Sequence, residues 1–277
     1  MSANDTAHRS LDWSTVAEGW DSNRQLVETV KTELSRQLVE GLALTPGDSV
    51  LELGAGTGEF ARQLSAAVGD GGRVLATDYA AGMVELIERT TADLPNTRAM
   101  RLDAADIGPV AEPFDAIAFR FGLMLVPDPG TALTESRRVL RAGGRFAATT
   151  WAAPEHNMWL VSVGMSAMLN GMVSGPMPTE PGGPLSLGDP DQLEKLAQVA
   201  GFSEVSVKRV DVIFRTRDVD SHIAHVTQMA PPLKAAYRDA TAEQRDGFRT
   251  SVAELVKPFQ TADGLALPGQ ALLLLAA

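Results

Sequence analysis

The sequence predicts an α/β protein built on a parallel sheet, and three observations lead there. Short apolar or β-branched runs at residues 49–53, 73–77, 97–101, 114–119 and 145–150 have the length and composition of strands. The stretches between the first and second, second and third, and fourth and fifth of these runs carry helical spacing, the rhythm of parallel strands joined by crossovers. Turn chemistry marks the joints: Thr45-Pro46-Gly47-Asp48 precedes the first strand, Gly69-Asp70-Gly71-Gly72 the second, and Arg141-Ala142-Gly143-Gly144 the fifth.

The flanking elements follow in order. Residues 16–41 predict one or two amphipathic helices that end at Gly41. Beyond Trp151, Met158, Val161, Met165, Met168 and Met172 recur every three or four residues and so share one helix face, which the Gly/Pro-rich stretch at 174–184 stops. A helix is expected near 191–200, a long strand over 204–214, and helices around 218–229 and 241–256. Thr241 with Gln244 supplies a capping box for the last of these. Leu267-Pro268-Gly269-Gln270 is expected to turn the chain into a final buried strand. The organisation is then N-terminal helices over 1–45, a sheet core over 46–153, a Met-rich lid over 154–188, and the rest of the sheet over 189–277, with a helical insertion at 218–260.

Composition excludes several functions. A chain of 277 residues that is 44% hydrophobic can bury a large core. With 24 basic against 35 acidic side chains the formal charge is −11, which disfavours nucleic acid and anionic membrane surfaces as partners. There is no cysteine, so disulfides, thiolate metal sites and cysteine nucleophiles are out; no metal is expected. The polar opening has no signal-peptide pattern and no stretch approaches the roughly 18 apolar residues of a membrane span, so a cytoplasmic protein is expected.

The most informative segment is Val50–Phe60, in which an apolar run meets Gly54, Gly56 and Gly58, with Glu52 just before them. Glycines at a strand–helix junction allow a tight turn and close backbone approach, and the helix start offers free N–H groups. Dinucleotide and S-adenosylmethionine sites both use this device. A dinucleotide fingerprint places its third glycine three residues after the second, a position held here by Glu59. A carboxylate at Glu52 would repel a pyrophosphate and welcome the ammonium and sulfonium groups of S-adenosylmethionine.

Four motifs in order, "VLELGAGTGEF", "VLATDYAAGM", "RLDAAD" and "FDAIAFRFGLMLVPD" followed by "RVLRAGGRF", make residues 13–151 resemble the class I S-adenosylmethionine-dependent methyltransferases, in particular the small-molecule group that includes quinone-biosynthesis enzymes. The resemblance implies a Rossmann-like, doubly wound sheet of seven strands with the last antiparallel, here with helical cap insertions, and a cofactor at the carboxyl ends of strands one, two and four. The chain departs from that pattern between its sixth and seventh strands, where more than fifty residues replace a short connection.

The resemblance assigns cofactor contacts to Glu52, Gly54, Ala55, Gly56, Thr57, Gly58, Asp78, Tyr79, Met83, Asp103, Ala104, Arg120 and Phe121. Asp78, 24 residues after Gly54, would accept both ribose hydroxyls, although a helix N-cap is the other reading of its position. Tyr79 and Met83 would border ribose and adenine, and Asp103 with Ala104 would take the adenine amino group. Arg120 is costly to bury unpaired, so it is expected either to meet a carboxylate, the ligand's among the candidates, or to reach solvent. For the acceptor, His156 is the candidate base, Trp20, Met158, Met165 and Met168 the candidate walls, and His222 with His225 a pair on one helix face. The expected activity is methyl transfer to an O, N or C atom of a largely apolar small molecule, leaving S-adenosylhomocysteine. A methyltransferase-like protein catalysing another step, such as a cyclisation, and a non-enzymatic binding module are the alternatives.

Overall fold

The computed structural model describes residues 12–109, 112–174 and 178–277. Met177 and part of the Gly/Pro-rich stretch lie outside them. The described chain runs α1 (Ala17–Ser22), α2 (Arg24–Leu42), β1 (Ser49–Glu52), α3 (Glu59–Val68), β2 (Arg73–Asp78), α4 (Ala81–Thr90), β3 (Thr97–Arg101), β4 (Phe114–Arg120), α5 (Pro129–Val139), β5 (Leu140–Trp151), α6 (Met158–Leu169), α7 (Pro190–Val199), β6 (Ser206–Thr216), α8 (Val219–Met229), α9 (Pro231–Asp239), α10 (Ala242–Val256), β7 (Gln260–Thr261) and β8 (Gly264–Ala276). The strands form one sheet in the order β3-β2-β1-β4-β5-β8-β6, parallel from β3 to β5 and antiparallel where β8 inserts between β5 and β6. The seven expected strands are all present. The eighth, β7, is a two-residue hairpin extension of β8.

Both faces of the sheet are apolar, as a sheet covered by helices on each side requires. Val50, Ala116, Ala118, Ala147 and Leu273 face α2, α3 and α4 through Leu38, Leu42, Phe60, Leu64 and Ile87. Their neighbours Leu51, Ile117, Phe119, Phe146, Leu272 and Leu274 face the other way, onto α5, α7 and the cap helices. This alternation fixes the register of every central strand, because a one-residue slip would exchange the two faces.

Three expectations need correction. Pro268 is no turn but a residue within β8, paired with Ile213 of β6. It is tolerated because β5 pairs with β8 only from Ala271 onward, so the strand has a free edge at Pro268. The turn lies instead between β7 and β8. β6 lies two residues later than expected and β8 begins earlier, so residues 217–263 connect them, fewer than the more than fifty expected, and they hold a helix the periodicity did not show, α9, which Pro231 opens at its first position. Finally, α6 ends at Leu169, so Met172 lies beyond the helix.

The junction of β5, β8 and α6 is held by one side chain. Asn157, fully buried, donates through Nδ2 to the carbonyls of Ala152 (2.9 Å), Gln270 (3.2 Å) and Ala153 (3.3 Å), and its Oδ1 accepts from Gln270 N–H and Trp159 Nε1 (3.1 Å each). It thereby satisfies the edge of β8 where β5 stops. Asn157→Ala would leave several buried groups unpaired, and we expect a loss of about 3 kcal/mol, seen as a melting temperature lower by roughly 6–10 °C in a thermal melt.

Candidate functional site

At the end of β1 the chain enters the glycine loop. Gly54, Gly56 and Gly58 take φ of +61°, +58° and +82°, a region that side chains with a Cβ rarely adopt. A Cβ at Gly58 would also stand 3.1 Å from Ile87 Cα, so this glycine lets the start of α3 pack on α4. At Gly56 a Cβ would meet nothing within 4 Å: the loop backbone is bare on that side, as approach by a ligand requires. Ala55 and Thr57 between them are buried.

Asp78, at the end of β2, accepts from Gly56 N–H (3.1 Å) and Ala80 N–H (3.0 Å). It therefore ties the loop to β2 and does not cap α4, whose N-cap position is Ala80 and whose Gly82 N–H donates to Ser14 Oγ (3.1 Å). Burial raises the Asp78 carboxyl above its ordinary range. Tyr79 is exposed beside the Arg101 guanidinium, 5.5 Å from its ring, and its carbonyl accepts from Arg101 Nε. Met83 is buried with Val16, Ala80 and Leu86, beneath Trp13 and Trp20. Asp103 is exposed and accepts from Ala105 N–H (2.9 Å), with Ala104 half-buried beside it.

Next to the loop is a cluster of buried charges. Arg120 ends β4 and donates to both carboxylate oxygens of Glu28 (2.8 Å each) and to Ser35 Oγ (2.8 Å), while its guanidinium lies 4.9 Å from the Phe60 ring. The carboxylate that meets Arg120 is thus the chain's own Glu28 on α2, which corrects the expectation that a ligand could supply it. Glu52 is 1% exposed, and its Oε2 has no partner among the described residues. Burial pushes its pKa up to about 8 against the pull of Arg120, so at neutral pH the carboxyl is largely protonated. Phe121 follows with φ +59°, a strained conformation for an aromatic residue. Thr149 holds it there by accepting its N–H, and its ring stacks on Trp151 at 4.1 Å.

The sequence reading missed Lys31. It is buried, has no hydrogen-bond or ion-pair partner among the described residues, and places Nζ 5.1 Å from the Trp20 ring and 5.0 Å from that of Phe121. Burial, aided by repulsion from Arg120, lowers its pKa to about 7. A legible signal existed, since Lys31 interrupts the apolar stripe Val27, Val30, Leu34 and Leu38 of α2. The structure therefore brings together an unpartnered carboxyl oxygen and an unpartnered amine, each feeling the other's charge. That pairing fits a zwitterion, with an ammonium for Glu52 and a carboxylate for Lys31, which is the chemistry of the methionine end of S-adenosylmethionine.

The acceptor candidates are more scattered. His156 is exposed in a turn after β5. Trp20 donates from Nε1 to the Met229 carbonyl of α8 (2.9 Å), fastening the N-terminal helices to the insertion. Met158 is half-buried, whereas Met165 and Met168 are exposed, so the methionine face is not core. α6 packs on β8, α8 and α10, and it is α8 that reaches across to α1.

Known proteins resemble the chain in sequence and in fold. Residues 50–144 match the family model described as a methyltransferase domain. A demethylmenaquinone methyltransferase of Clavibacter sepedonicus is 31% identical over 140 residues, 50% of this chain and 56% of that protein, so the chain spans little more than half of this relative's length. In fold the chain is similar to the YcgJ protein of Bacillus subtilis (TM-score 0.60, 18% identity, 87% and 96% of the two chains covered) and to the [4+2]-cyclase SpnF (TM-score 0.55, 20% identity, 95% and 96% covered). The chain is thus similar to the class I S-adenosylmethionine-dependent methyltransferases, the quinone methyltransferases among them.

Glu52 makes the cluster measurable without a ligand. Its folded pKa of about 8 lies above the ordinary 4.5, so its contribution to stability is full below about pH 4.5 and is lost as pH rises through 8. We expect Glu52→Gln to melt several degrees above wild type at pH 7.5, with the gap shrinking toward pH 5. Parallel thermal melts across that range check it.

Proposed function

We propose that this chain transfers the methyl group of S-adenosylmethionine to an O, N or C atom of a largely apolar small molecule, and the observation that carries the proposal is a buried carboxyl, Glu52, and a buried amine, Lys31, beside the glycine loop, with the Glu52 Oε2 and the Lys31 Nζ unpartnered among the described residues. When bound, the cofactor supplies a methyl group activated on a sulfonium, so the protein's task is mainly to position donor and acceptor and exclude water. Glu52 would take the ammonium and ionise as it does so. Lys31, kept near Trp20 and Phe121, would take the carboxylate. The bare backbone at Gly56 would let the ligand lie against the loop, with Asp78 turning toward the ribose hydroxyls and Asp103 and Ala104 toward the adenine. Tyr79 and Met83 would flank the ribose and base.

Support for an apolar acceptor comes from the relative named as a demethylmenaquinone methyltransferase and from the apolar inner face of the insertion, Ile223 and Val226. The fold itself is no guide to the reaction, since SpnF, named as a cyclase, shares it. Release of S-adenosylhomocysteine in the presence of a panel of apolar acceptors is the deciding assay.

Two outcomes are expected in calorimetric titrations. The protein binds S-adenosylmethionine and S-adenosylhomocysteine and leaves NAD unbound; binding of NAD alone would overturn the proposal. Asp78→Ala weakens S-adenosylmethionine binding roughly ten- to hundredfold, the equivalent of about 1.5–3 kcal/mol for hydrogen bonds to a charged acceptor, with the fold retained.

A further inference from the structure

The strain at Phe121 has a partner across the site. An aromatic residue at φ +59° persists only where its surroundings hold it, and two restraints act here. Its N–H reaches both the carbonyl of Thr149 (3.0 Å) and Thr149 Oγ1 (3.1 Å), and its ring stacks on Trp151 with centroids 4.1 Å apart. Trp151 lies 5.0 Å from Trp159 on the buried side of α6, the side that also carries Ser162 and Ser166. Trp159 stacks on Phe214 of β6 at 4.1 Å and donates to Asn157 Oδ1. A column of aromatic rings thus runs from the cap to the end of β4, and Phe121 is its last ring.

What that ring meets is Lys31. Nζ stands 5.0 Å from the centre of the Phe121 ring and 5.1 Å from that of Trp20, within the range at which an aromatic face attracts a cation. Trp20 is fixed in turn by the bond from its indole to the Met229 carbonyl. The amine itself has no hydrogen bond or ion pair among the described residues, and Glu28, one turn before it on α2, is taken by Arg120. A lysine stem is flexible, so an amine with no bonded partner is placed by what packs around it, and here two rings do so. An ordinary negative φ at residue 121 would send its side chain in another direction and remove one of these walls.

We propose that Trp20 and Phe121 are positioning residues that bracket the Lys31 amine and thereby make the site selective for a cofactor with a carboxylate on its methionine end. The inference rests on the methyl-transfer reading and goes beyond it by naming what the site rejects. That is decarboxylated S-adenosylmethionine, which keeps the sulfonium and the ammonium and lacks only the carboxylate. The competing account is that both rings serve packing alone.

Calorimetric titration of S-adenosylmethionine and of its decarboxylated form into wild type, Lys31→Met, Phe121→Leu and Trp20→Leu reads the selectivity as a ratio of two affinities. We expect wild type to favour S-adenosylmethionine roughly ten- to hundredfold, the worth of a charge-assisted hydrogen bond, and Lys31→Met to bring the ratio near unity. Phe121→Leu and Trp20→Leu are each expected to lower the ratio about threefold or more, by weakening S-adenosylmethionine and sparing the decarboxylated form. In the Lys31→Met background neither is expected to lower it further, because both act through the amine. Loss of packing alone would weaken the two ligands alike. Trp20 is half-buried, so Trp20→Leu keeps the test sound should Phe121→Leu fold poorly. An unchanged ratio in the folded ring variants, a ratio that survives Lys31→Met, or no selectivity in wild type would overturn the proposal. Binding of neither ligand by folded wild type would strike the methyl-transfer reading, and this inference with it.

Discussion

The ion pair between Arg120 and Glu28 is the interaction on which the site depends. It joins β4, at the centre of the sheet, to α2, and with both partners largely withdrawn from water its rupture would leave an uncompensated charge, at a cost of about 3–5 kcal/mol. Its geometry is one-sided. Glu28 takes both terminal nitrogens of Arg120, so Glu52 feels the guanidinium only at a distance and remains without a bonded partner among the described residues. The same positive charge repels Lys31 and helps keep it from being a full ammonium. One satisfied pair thus creates two unsatisfied groups of opposite character beside the loop, and the binding chemistry follows from that imbalance.

The halves of the site are joined by the first described residues. Ser14 accepts from Gly82 at the start of α4, Thr15 accepts from Lys234 of α9, Trp20 donates to Met229 and Asn23 to Gln228. The segment from 12 to 23 therefore touches both the loop side and the insertion, largely through single hydrogen bonds. Such a connection opens at lower free energy than the sheet core beneath it. The glycine loop, by contrast, is braced by β-strands on either side, through Ala55 on Thr77 and Leu53 on Ala118.

Local signals made much of this legible. The strands alternate or run apolar, the glycines sit where φ is positive, and Asp78 ends β2, all of which a short window of sequence displays. What escaped was non-local. Glu28 and Arg120 are 92 residues apart, so nothing near Arg120 named its partner. Lys31 stood in an apolar stripe that would ordinarily be core. Pro268 looked like a turn because its free edge exists only where β5 ends, and α9, which Pro231 starts, was not expected. The methionines of α6 do share a face, but periodicity cannot tell which face meets the protein, and here the serines do.

Difference infrared spectroscopy of Glu52 tests the account most directly. A protonated carboxyl has its own C=O stretching band, which ionisation removes. The account predicts that ligand-free protein at pH 7 shows such a band, that Glu52→Gln lacks it, and that S-adenosylmethionine bleaches it in wild type, whereas adenosine, which has no ammonium, leaves it in place. Absence of the band from the ligand-free protein, or its persistence at saturating S-adenosylmethionine, would contradict the claim that a buried, unpaired carboxyl waits for the ligand's positive charge.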